Sequence, residues 1–345
     1  MTRRPGLDLL RVAAVAGVVV IHSVRPLGIT RSVPGWQVAS VLDLAFIWAV
    51  PVFVMISGAL VLDPAAHSRG PGAFYRRRFA RILPALVAWH VIYLLFVRQT
   101  IEAKPVSLVE LRTMAVDGDF YGALWFLWVI AGLYLVAPIL VAFVAKDRRR
   151  TLITGWAVTG YTAAVFVLIG LGQFWGQAML PSPTILTLWW PFVGLFVLGL
   201  AYRDRMPRPA KLIALSGAAL ALLALVSWQV IAMPGGTLAE LSQVAYNGAA
   251  VMVGSVCVFI VGNTVGTRLF AGKRSEGATA DVLRILAEAA FGVYLCHQLI
   301  LALLVRYVLP TMTLTNSLLL AALTLVGAFA VSVAARQVPG LRRIF

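Results

Sequence analysis

Long apolar runs separated by short polar segments repeat along the whole chain. Ten runs of roughly 20 mostly apolar residues lie near residues 7–28, 38–62, 79–98, 122–144, 152–170, 187–202, 212–232, 247–266, 287–308 and 314–335. A helix of about 20 residues is long enough to cross a bilayer, whose hydrocarbon core is about 30 Å thick. The pattern therefore predicts an all-α integral membrane protein with about ten transmembrane helices in one bundle.

The basic residues between these runs fall mainly in alternate loops. The other loops hold only a few of them, namely Arg25, Arg31, Arg98, Lys104, Arg112 and Arg306. Because Lys and Arg crowd the cytoplasmic loops of membrane proteins, this alternation predicts an even number of spans with both termini in the cytoplasm. It also explains the net charge of +16 as a set of orientation signals, so we expect no nucleic-acid partner.

The overall composition agrees with a membrane protein. Of the 345 residues, 61% are hydrophobic and 12% are charged, and the mean hydropathy is +0.91. The two cysteines, Cys257 and Cys296, lie in apolar runs, which argues against a disulfide framework. We find no internal repeat, phosphate-binding loop or metal-binding Cys/His spacing in the sequence. Residues 1–345 are therefore interpreted as a single transmembrane domain, and no metal site is expected.

The first apolar run carries three ionisable residues, Asp8, Arg11 and His22. Asp8 and Arg11 lie near its cytoplasmic end, where an i,i+3 ion pair and a snorkelling arginine are an ordinary explanation. His22 lies about fifteen residues into the run, at a depth where an ionisable group normally faces a cavity or a partner. Helical periodicity puts Arg11 and His22 on one helix face, about 16 Å apart.

A basic segment, FYRRRFARILPAL, leads into the third apolar run. Topology alone accounts for basic residues at this place. Arg78 and Arg81, however, also lie on adjacent turns of one helix face, where two guanidinium groups can bind the same anion. Phosphate groups are the natural ligands for such a pair.

Five segments together resemble the membrane-bound acyltransferase 3 family. They are DLLRVAAVAGVVVIH, PVFVMISGALVL, FYRRRFARILPAL, LWFLWVIAGLYLVAPIL and FGVYLCHQLI, in the first, second, third, fourth and ninth runs. Members of this family transfer acyl groups, often acetyl, from cytoplasmic acyl-CoA to hydroxyls or amines of saccharides and other acceptors. The resemblance implies an acyl-CoA-dependent acyltransferase of the cell membrane. Acyl-CoA would be its donor substrate, and no permanently bound cofactor is expected.

The resemblance and the residues combine into one mechanistic hypothesis. Arg78 and Arg81 would bind the CoA phosphates, and Arg11 would bind the remaining polar groups of the donor. His22 would act as the general base towards the acceptor. A histidine base usually has an orienting partner. Asp43 is our candidate, because it and His22 lie at the same depth of neighbouring antiparallel spans, to within about 2 Å.

Four further residues are candidate contacts of the donor or the acceptor. Tyr294 and His297 share one face of the ninth run and match the family pattern, although an interhelical hydrogen bond explains His297 equally well. Ser57 is better explained by close helix packing, but its hydroxyl can also donate to an oxyanion. Trp125 fits an aromatic belt at the membrane interface, with stacking on a sugar ring as the alternative.

A proton-coupled small-molecule transporter is the main alternative function. It would use Asp8, Arg11, His22 and Asp43 as a proton relay. We would then expect an inverted repeat or paired broken helices, and the sequence shows neither. A non-catalytic membrane partner would need no buried histidine. The identity of the acceptor, the length of the acyl chain and the oligomeric state stay open at this stage.

Overall fold

The computed structural model describes residues 3–118, 121–144, 146–174, 184–232, 244–271 and 277–345. Within these residues the α-helices are α1 (Pro5–Gly28), α2 (Trp36–Ala45), α3 (Ala49–Val61), α4 (Gly70–Val91), α5 (Leu108–Asp117), α6 (Trp125–Val144), α7 (Arg148–Phe174), α8 (Val193–Tyr202), α9 (Pro209–Ala232), α10 (Ala249–Leu269), α11 (Ala278–Tyr307) and α12 (Leu314–Ala335). A π-helical segment, Ile92–Ile101, continues α4. Short 3-10 turns are formed by Pro64–His67, Gly122–Leu124, Trp190–Phe192 and Leu341–Arg343.

Among the described residues, nine helices are long and apolar enough to span a membrane. The sixth predicted run forms only a shorter apolar helix, Trp190–Tyr202. Before this segment Ile185 N–H donates to the carbonyl of Val116, and directly after it Arg203 pairs with Asp63. The prediction of an all-α, multi-pass membrane protein is confirmed, with nine candidate spans in the described residues where about ten were predicted.

The second predicted run is split into α2 and α3 by a turn at residues 46–48. Pro51 lies in the first turn of α3, where its missing N–H costs nothing. In an unbroken helix the proline ring would clash with the carbonyl of Ile47. Phe46, at the break, packs so closely on Gly17 of α1 that an added Cβ there would lie 2.8 Å from its ring. The break thus lets both α2 and α3 contact α1.

Helix α1 lies at the centre of the bundle, in contact with α2, α3, α10, α11 and α12. Its start is fixed by Arg3, whose guanidinium donates to the carbonyl of Ala280 at 2.7 Å. Arg4 adds an ion pair with Asp204 at 2.5 Å. We call this the basic end of the bundle. The end at which α1 finishes, at Gly28, is called the opposite end.

Helices α3 and α8 cross backbone to backbone at two glycines. A Cβ on Gly58 would lie 1.8 Å from the carbonyl oxygen of Phe196, and one on Gly199 would lie 2.0 Å from that of Met55. Small residues permit such close approach between membrane helices. The close helix packing that the sequence predicts around Ser57 is therefore found at the next residue, Gly58.

Candidate active site

A cavity of about 490 Å³ lies at the basic end, between α1, α3, α4, α6 and α11. Its basic lining residues are Arg11, Arg77, Arg78, Arg81 and Arg336. Glu288 is its acidic lining residue, and it already pairs with Arg336 at 2.9 Å. We call this the arginine cavity. Its excess of positive charge makes it a site for an anionic ligand.

Aromatic rings hold two of these guanidinium groups. The Cζ atom of Arg78 lies 5.6 Å from the centroid of the Tyr134 ring and 5.8 Å from that of Phe74. Arg81 lies in the same way 5.6 Å from the ring of Phe291. Such cation–π contacts orient a guanidinium without using its N–H donors. The Nε of Arg78 is buried and has no hydrogen-bond partner, so this residue has donor capacity that the protein does not satisfy.

A small central pocket of about 20 Å³ lies further along α1 and is lined by His22. Its volume is enough for about one water molecule. It shares three lining residues with the arginine cavity, namely Phe53, Phe126 and Tyr294. On its other side, Trp125 and Tyr246 line both this pocket and a third cavity. The three spaces therefore lie next to one another along the bundle, and the shared side chains stand between them.

Gln298 of α11 holds the imidazole of His22. Its Nε2 lies 3.1 Å from His22 Nδ1, and its Oε1 accepts a hydrogen bond from the Ala123 N–H at 3.1 Å. Because a backbone N–H can only donate, the network assigns the oxygen to Ala123 and an N–H donor to His22 Nδ1. In the neutral ring the proton then lies on Nε2, the nitrogen left for the central pocket. Gly122, at φ +37°, makes room for this amide, since a Cβ there would lie 2.4 Å from Gln298 Oε1.

His297 lies beside His22, with the two ring centroids 5.3 Å apart. Its Nδ1 lies 2.7 Å from the carbonyl oxygen of Tyr294, which assigns the ring proton to Nδ1. Its Nε2 is buried and has no hydrogen-bond partner. The Tyr294 hydroxyl donates to the carbonyl of Ala123 at 2.5 Å. The same short turn at Ala123 therefore holds both Gln298 and Tyr294 next to the histidine pair.

The third cavity, of about 600 Å³, lies at the opposite end. We call it the aromatic cavity because Trp125, Trp190, Phe192 and Tyr246 are among its lining residues. The rings of Trp125 and Tyr246 stack, with centroids 5.6 Å apart and planes 27° apart. Burial raises the pKa of the Tyr246 hydroxyl above its ordinary value, which keeps the group neutral. Arg25 brings a guanidinium to this otherwise mostly apolar lining.

The predicted contact between His22 and Asp43 is wrong. The carboxylate of Asp43 accepts hydrogen bonds from Arg25 instead, from Nε to Oδ2 at 3.1 Å and from Nη2 to Oδ1 at 3.2 Å. Arg25 follows His22 by one turn of α1, and a guanidinium is a stronger partner for a buried carboxylate than a neutral imidazole. The depth argument brought Asp43 to the correct region of the bundle, where the nearest cation engages it.

Most of the other predicted site residues line these cavities, whereas His297 lines none of them and lies beside His22. The arginine cavity brings together Arg11, Ser57, Arg78, Arg81 and Tyr294. Gln298, Arg25 and Tyr246 were not predicted as site residues. The sequence did contain a signal for two of them. Gln298 is an amide in an apolar run next to His297, and Arg25 is a cation one helical turn after His22. Tyr246 had no such signal, because its contact with Trp125 joins residues far apart in the chain.

The charged side chains of the arginine cavity are mainly cations. Across the part of the chain that the structure describes, no group of three or more His, Cys, Asp or Glu side chains is arranged to hold a metal ion. The guanidinium groups of the arginine cavity are instead suited to phosphate or carboxylate oxygens.

Comparison with known proteins gives one match. The family model described as an acyltransferase domain, that of the acyltransferase 3 family, matches residues 4–336. No curated protein and no solved structure matches the chain. The matched range covers nearly the whole chain and includes every residue that lines the three cavities.

Proposed function

The chain belongs to the acyltransferase 3 family of membrane proteins, and on that premise we propose that it transfers an acyl group from acyl-CoA to a hydroxyl of a saccharide or related acceptor. Acetyl is the simplest acyl group for this role. Acyl-CoA would occupy the arginine cavity, and the acceptor would occupy the aromatic cavity. The reaction would take place at His22, in the central pocket between them.

One observation supports this proposal, namely the row of three adjacent spaces with His22 lining the smallest of them. The arginine cavity and the central pocket share the walls formed by Phe53, Phe126 and Tyr294. The central pocket holds only about 20 Å³, so it suits the small reacting groups and not a whole substrate. A donor from one end and an acceptor from the other can therefore meet there while both ligands stay in their own cavities.

The arginine cavity fits the chemistry of CoA. The nucleotide end of CoA carries several phosphates, and arginine binds phosphate oxygens through a planar fork of N–H donors. Arg78 and Arg81 of α4 line the arginine cavity and can supply such donors. Arg11 lies deeper on α1, where it also pairs with Asp8 at 3.5 Å, and is our candidate for the polar groups of the pantetheine arm. The thioester would then reach the central pocket past Phe53 and Tyr294.

The proposed chemistry is one acyl transfer. The acceptor hydroxyl oxygen attacks the thioester carbonyl carbon, a C–O bond forms, and the C–S bond to CoA breaks. As general base, His22 Nε2 takes the hydroxyl proton and passes it to the departing thiolate, so that the products are an ester and the CoA thiol. This role needs the ring proton on Nδ1. For the transfer step Gln298 must then turn its carboxamide oxygen from the Ala123 N–H to His22 Nδ1–H, which exchanges the tautomer that the hydrogen bonds assign for the Nδ1–H form.

We assign the arginine cavity to the cytoplasmic side of the cell membrane. The basic loops gather at that end of the bundle, and Lys and Arg crowd cytoplasmic loops. Both termini would then be cytoplasmic, and the aromatic cavity would face the other side. Acyl-CoA from the cytoplasm would in this way modify an acceptor outside.

The first test is acetyl-CoA binding and slow thioester hydrolysis by the purified protein in detergent. We expect the double variant Arg78→Ala/Arg81→Ala to lower the affinity for acetyl-CoA on the order of 10- to 100-fold, because charged hydrogen bonds to phosphate are lost. His22→Ala should leave the affinity unchanged and reduce release of the CoA thiol about 10²- to 10⁴-fold, as expected for a lost general base.

The matched control is Arg148→Ala/Arg149→Ala. These two arginines are exposed at the start of α7 and line none of the three spaces, so both readouts should stay at the level of the unmodified protein. A folded protein that does not bind acetyl-CoA, or a double variant of Arg78 and Arg81 that binds it normally, would contradict the proposal. Gradient-driven uptake of a small molecule without acetyl-CoA would instead support the transporter alternative.

A further inference from the structure

We propose that Arg25 and Asp43 form a charge-neutral anchor in the aromatic cavity and that this anchor selects an uncharged, hydroxyl-bearing acceptor. This inference rests on the proposed function, because it names the acceptor class of the same site. It assigns Arg25 to acceptor binding. It assigns Asp43 to positioning Arg25, in place of the catalytic role that the sequence predicted.

The geometry of the Arg25–Asp43 pair supports its role as a charge-neutral anchor. Arg25 uses Nε and Nη2 to donate to the two carboxylate oxygens of Asp43, at 3.1 and 3.2 Å. This two-point contact fixes the orientation of the guanidinium and cancels its charge. Asp43 is buried, whereas the Arg25 side chain keeps 43% of its surface exposed. The guanidinium is therefore fixed by Asp43 on one side, while on the other it interacts with the Tyr246 hydroxyl and lines the aromatic cavity.

The rest of the cavity lining supports the selection of an uncharged acceptor. Besides Arg25, the residues that line the cavity in the described part of the chain are polar but uncharged, or apolar: Ile47, Trp125, Phe166, Ile169, Thr184, Thr187, Leu188, Trp190, Pro191, Phe192, Val244, Ala245, Tyr246 and Asn247. Because Asp43 neutralises Arg25, a charged ligand would lose its hydration here without gaining a counter-charge. A ligand with hydroxyl groups can instead receive hydrogen bonds from the guanidinium.

The aromatic rings and the position of Arg25 on α1 support binding of a cyclic acceptor close to His22. The stacked pair Trp125 and Tyr246 lines both the aromatic cavity and the central pocket. Ring faces of this kind contact the apolar faces of cyclic polyols. Arg25 follows His22 by three residues, which is about 4.5 Å along the helix axis. An acceptor anchored at Arg25 through one hydroxyl would therefore bring a neighbouring hydroxyl to His22.

The experiment compares two probes that differ in one charge, methyl β-D-glucopyranoside and methyl β-D-glucuronide. Binding is followed by tryptophan fluorescence of the purified protein, with Trp125→Phe to confirm that the signal comes from this cavity. Transfer is followed with radiolabelled acetyl-CoA. We expect the unmodified protein to bind the neutral glycoside about tenfold more tightly than the glucuronide, a preference that corresponds to the cost of an uncompensated charge.

Asp43→Asn is the decisive variant. It leaves the guanidinium of Arg25 without its counter-charge, so the preference should reverse in favour of the glucuronide. Arg25→Gln alone would leave a buried carboxylate unpaired and risks misfolding. The double variant Arg25→Gln/Asp43→Asn keeps the site neutral and removes the anchor. In this variant the KM for the neutral glycoside should rise about tenfold.

Three results would overturn the inference: saturable binding of neither glycoside, tighter binding of the glucuronide by the unmodified protein, or an unchanged preference in a folded Asp43→Asn variant. These results are distinguishable from failure of the proposed function. Glycoside binding is measured without any donor, whereas the proposed function fails if the unmodified protein neither binds nor hydrolyses acetyl-CoA.

Discussion

The arginine cavity and the aromatic cavity have similar volumes, about 490 and about 600 Å³, but opposite electrostatic character. The first gathers five guanidinium groups around one carboxylate. Among the residues that the structure describes, the second contains one guanidinium, which Asp43 neutralises. The difference indicates that the two ends of the bundle are built for ligands of different chemistry, an anion at one end and an uncharged molecule at the other.

Helix α1 connects the two cavities. It carries Arg11 in the arginine cavity, His22 in the central pocket and Arg25 in the aromatic cavity. These residues follow one another along one helix, so their relative positions are fixed by helix geometry and by the packing of α1 at the centre of the bundle. A single rigid element therefore sets the distance from the donor site to the reacting groups and from there to the acceptor site.

The largest effect is expected from breaking the wall that supports the arginine cavity. Gly58→Leu would push a side chain into the backbone of α8, whose Phe196 carbonyl lies 1.8 Å from the Cβ position. We expect a loss of about 3 kcal/mol or more in the free energy of unfolding, measured by unfolding in detergent. Gly217→Leu is the matched control, because nothing lies within 4 Å of its Cβ position. Equal stability of the two variants would contradict the backbone contact between α3 and α8.

A smaller but more specific effect is expected at Gln298, which acts between the two cavities. Gln298→Glu offers one carboxylate oxygen to the Ala123 N–H and the other to His22 Nδ1–H, which favours the lone pair on Nε2. We expect it to retain or raise acetyl-CoA hydrolysis, whereas Gln298→Leu should lower it on the order of 10- to 100-fold.

The ¹⁵N chemical shifts of His22 give a second readout that a purely structural role would not change. They should move towards the Nδ1–H form in Gln298→Glu. If this variant hydrolyses acetyl-CoA more slowly than Gln298→Leu, His22 serves as an Nε2–H donor and not as the base.

Salt should separate the two cavities directly. Raising the ionic strength from about 0.05 to about 0.5 M shortens the range of electrostatic attraction, so the affinity for acetyl-CoA should fall about tenfold. The affinity for methyl β-D-glucopyranoside should change less than about twofold, because its site carries no net charge. Parallel titrations with the two ligands check this. Equal salt dependence of both ligands would remove the electrostatic contrast between the cavities.

The smallest effect is expected at the basic end, outside both cavities. Burial raises the pKa of Asp204, but Arg4 and Arg203 outweigh it and hold the pKa below its ordinary value. A depressed carboxylate pKa stabilises the fold above the unfolded value of about 4 and loses this contribution as the pH falls. Since the Asp204 side chain is 62% exposed, Asp204→Asn should cost less than about 1 kcal/mol at pH 7. The difference in stability between the variant and the unmodified protein should shrink as the pH falls below about 4.

The sequence was sufficient to predict the membrane bundle and much of the basic site. Apolar runs report spans directly, because the bilayer imposes their length. The length of the helix at Trp190–Tyr202 was overestimated, because the apolar turns before it cannot be distinguished from a helix by hydropathy alone. Arg78 and Arg81 were identified from spacing on one helix, which local geometry determines.

The contacts between helices were much harder to predict. The depth argument brought Asp43 near His22, but depth does not say which of two groups on α1 the carboxylate meets, and Arg25 is the stronger partner. Gln298 reaches His22 only because the backbone N–H of Ala123 and the missing Cβ of Gly122 orient its amide. Which of two possible partners a side chain contacts depends on the packing of segments that are distant in the chain, so a local sequence pattern cannot predict it.

The most direct test of the central claim is transfer across a bilayer. Proteoliposomes would hold methyl β-D-glucopyranoside inside, with radiolabelled acetyl-CoA added only outside, and liposomes with His22→Ala as the control. Because acetyl-CoA does not cross the membrane, only molecules with the arginine cavity outwards would react. We predict labelled glycoside inside the liposomes and free CoA thiol outside. Product that forms only when both substrates are on the same side would contradict the meeting of the two cavities at His22.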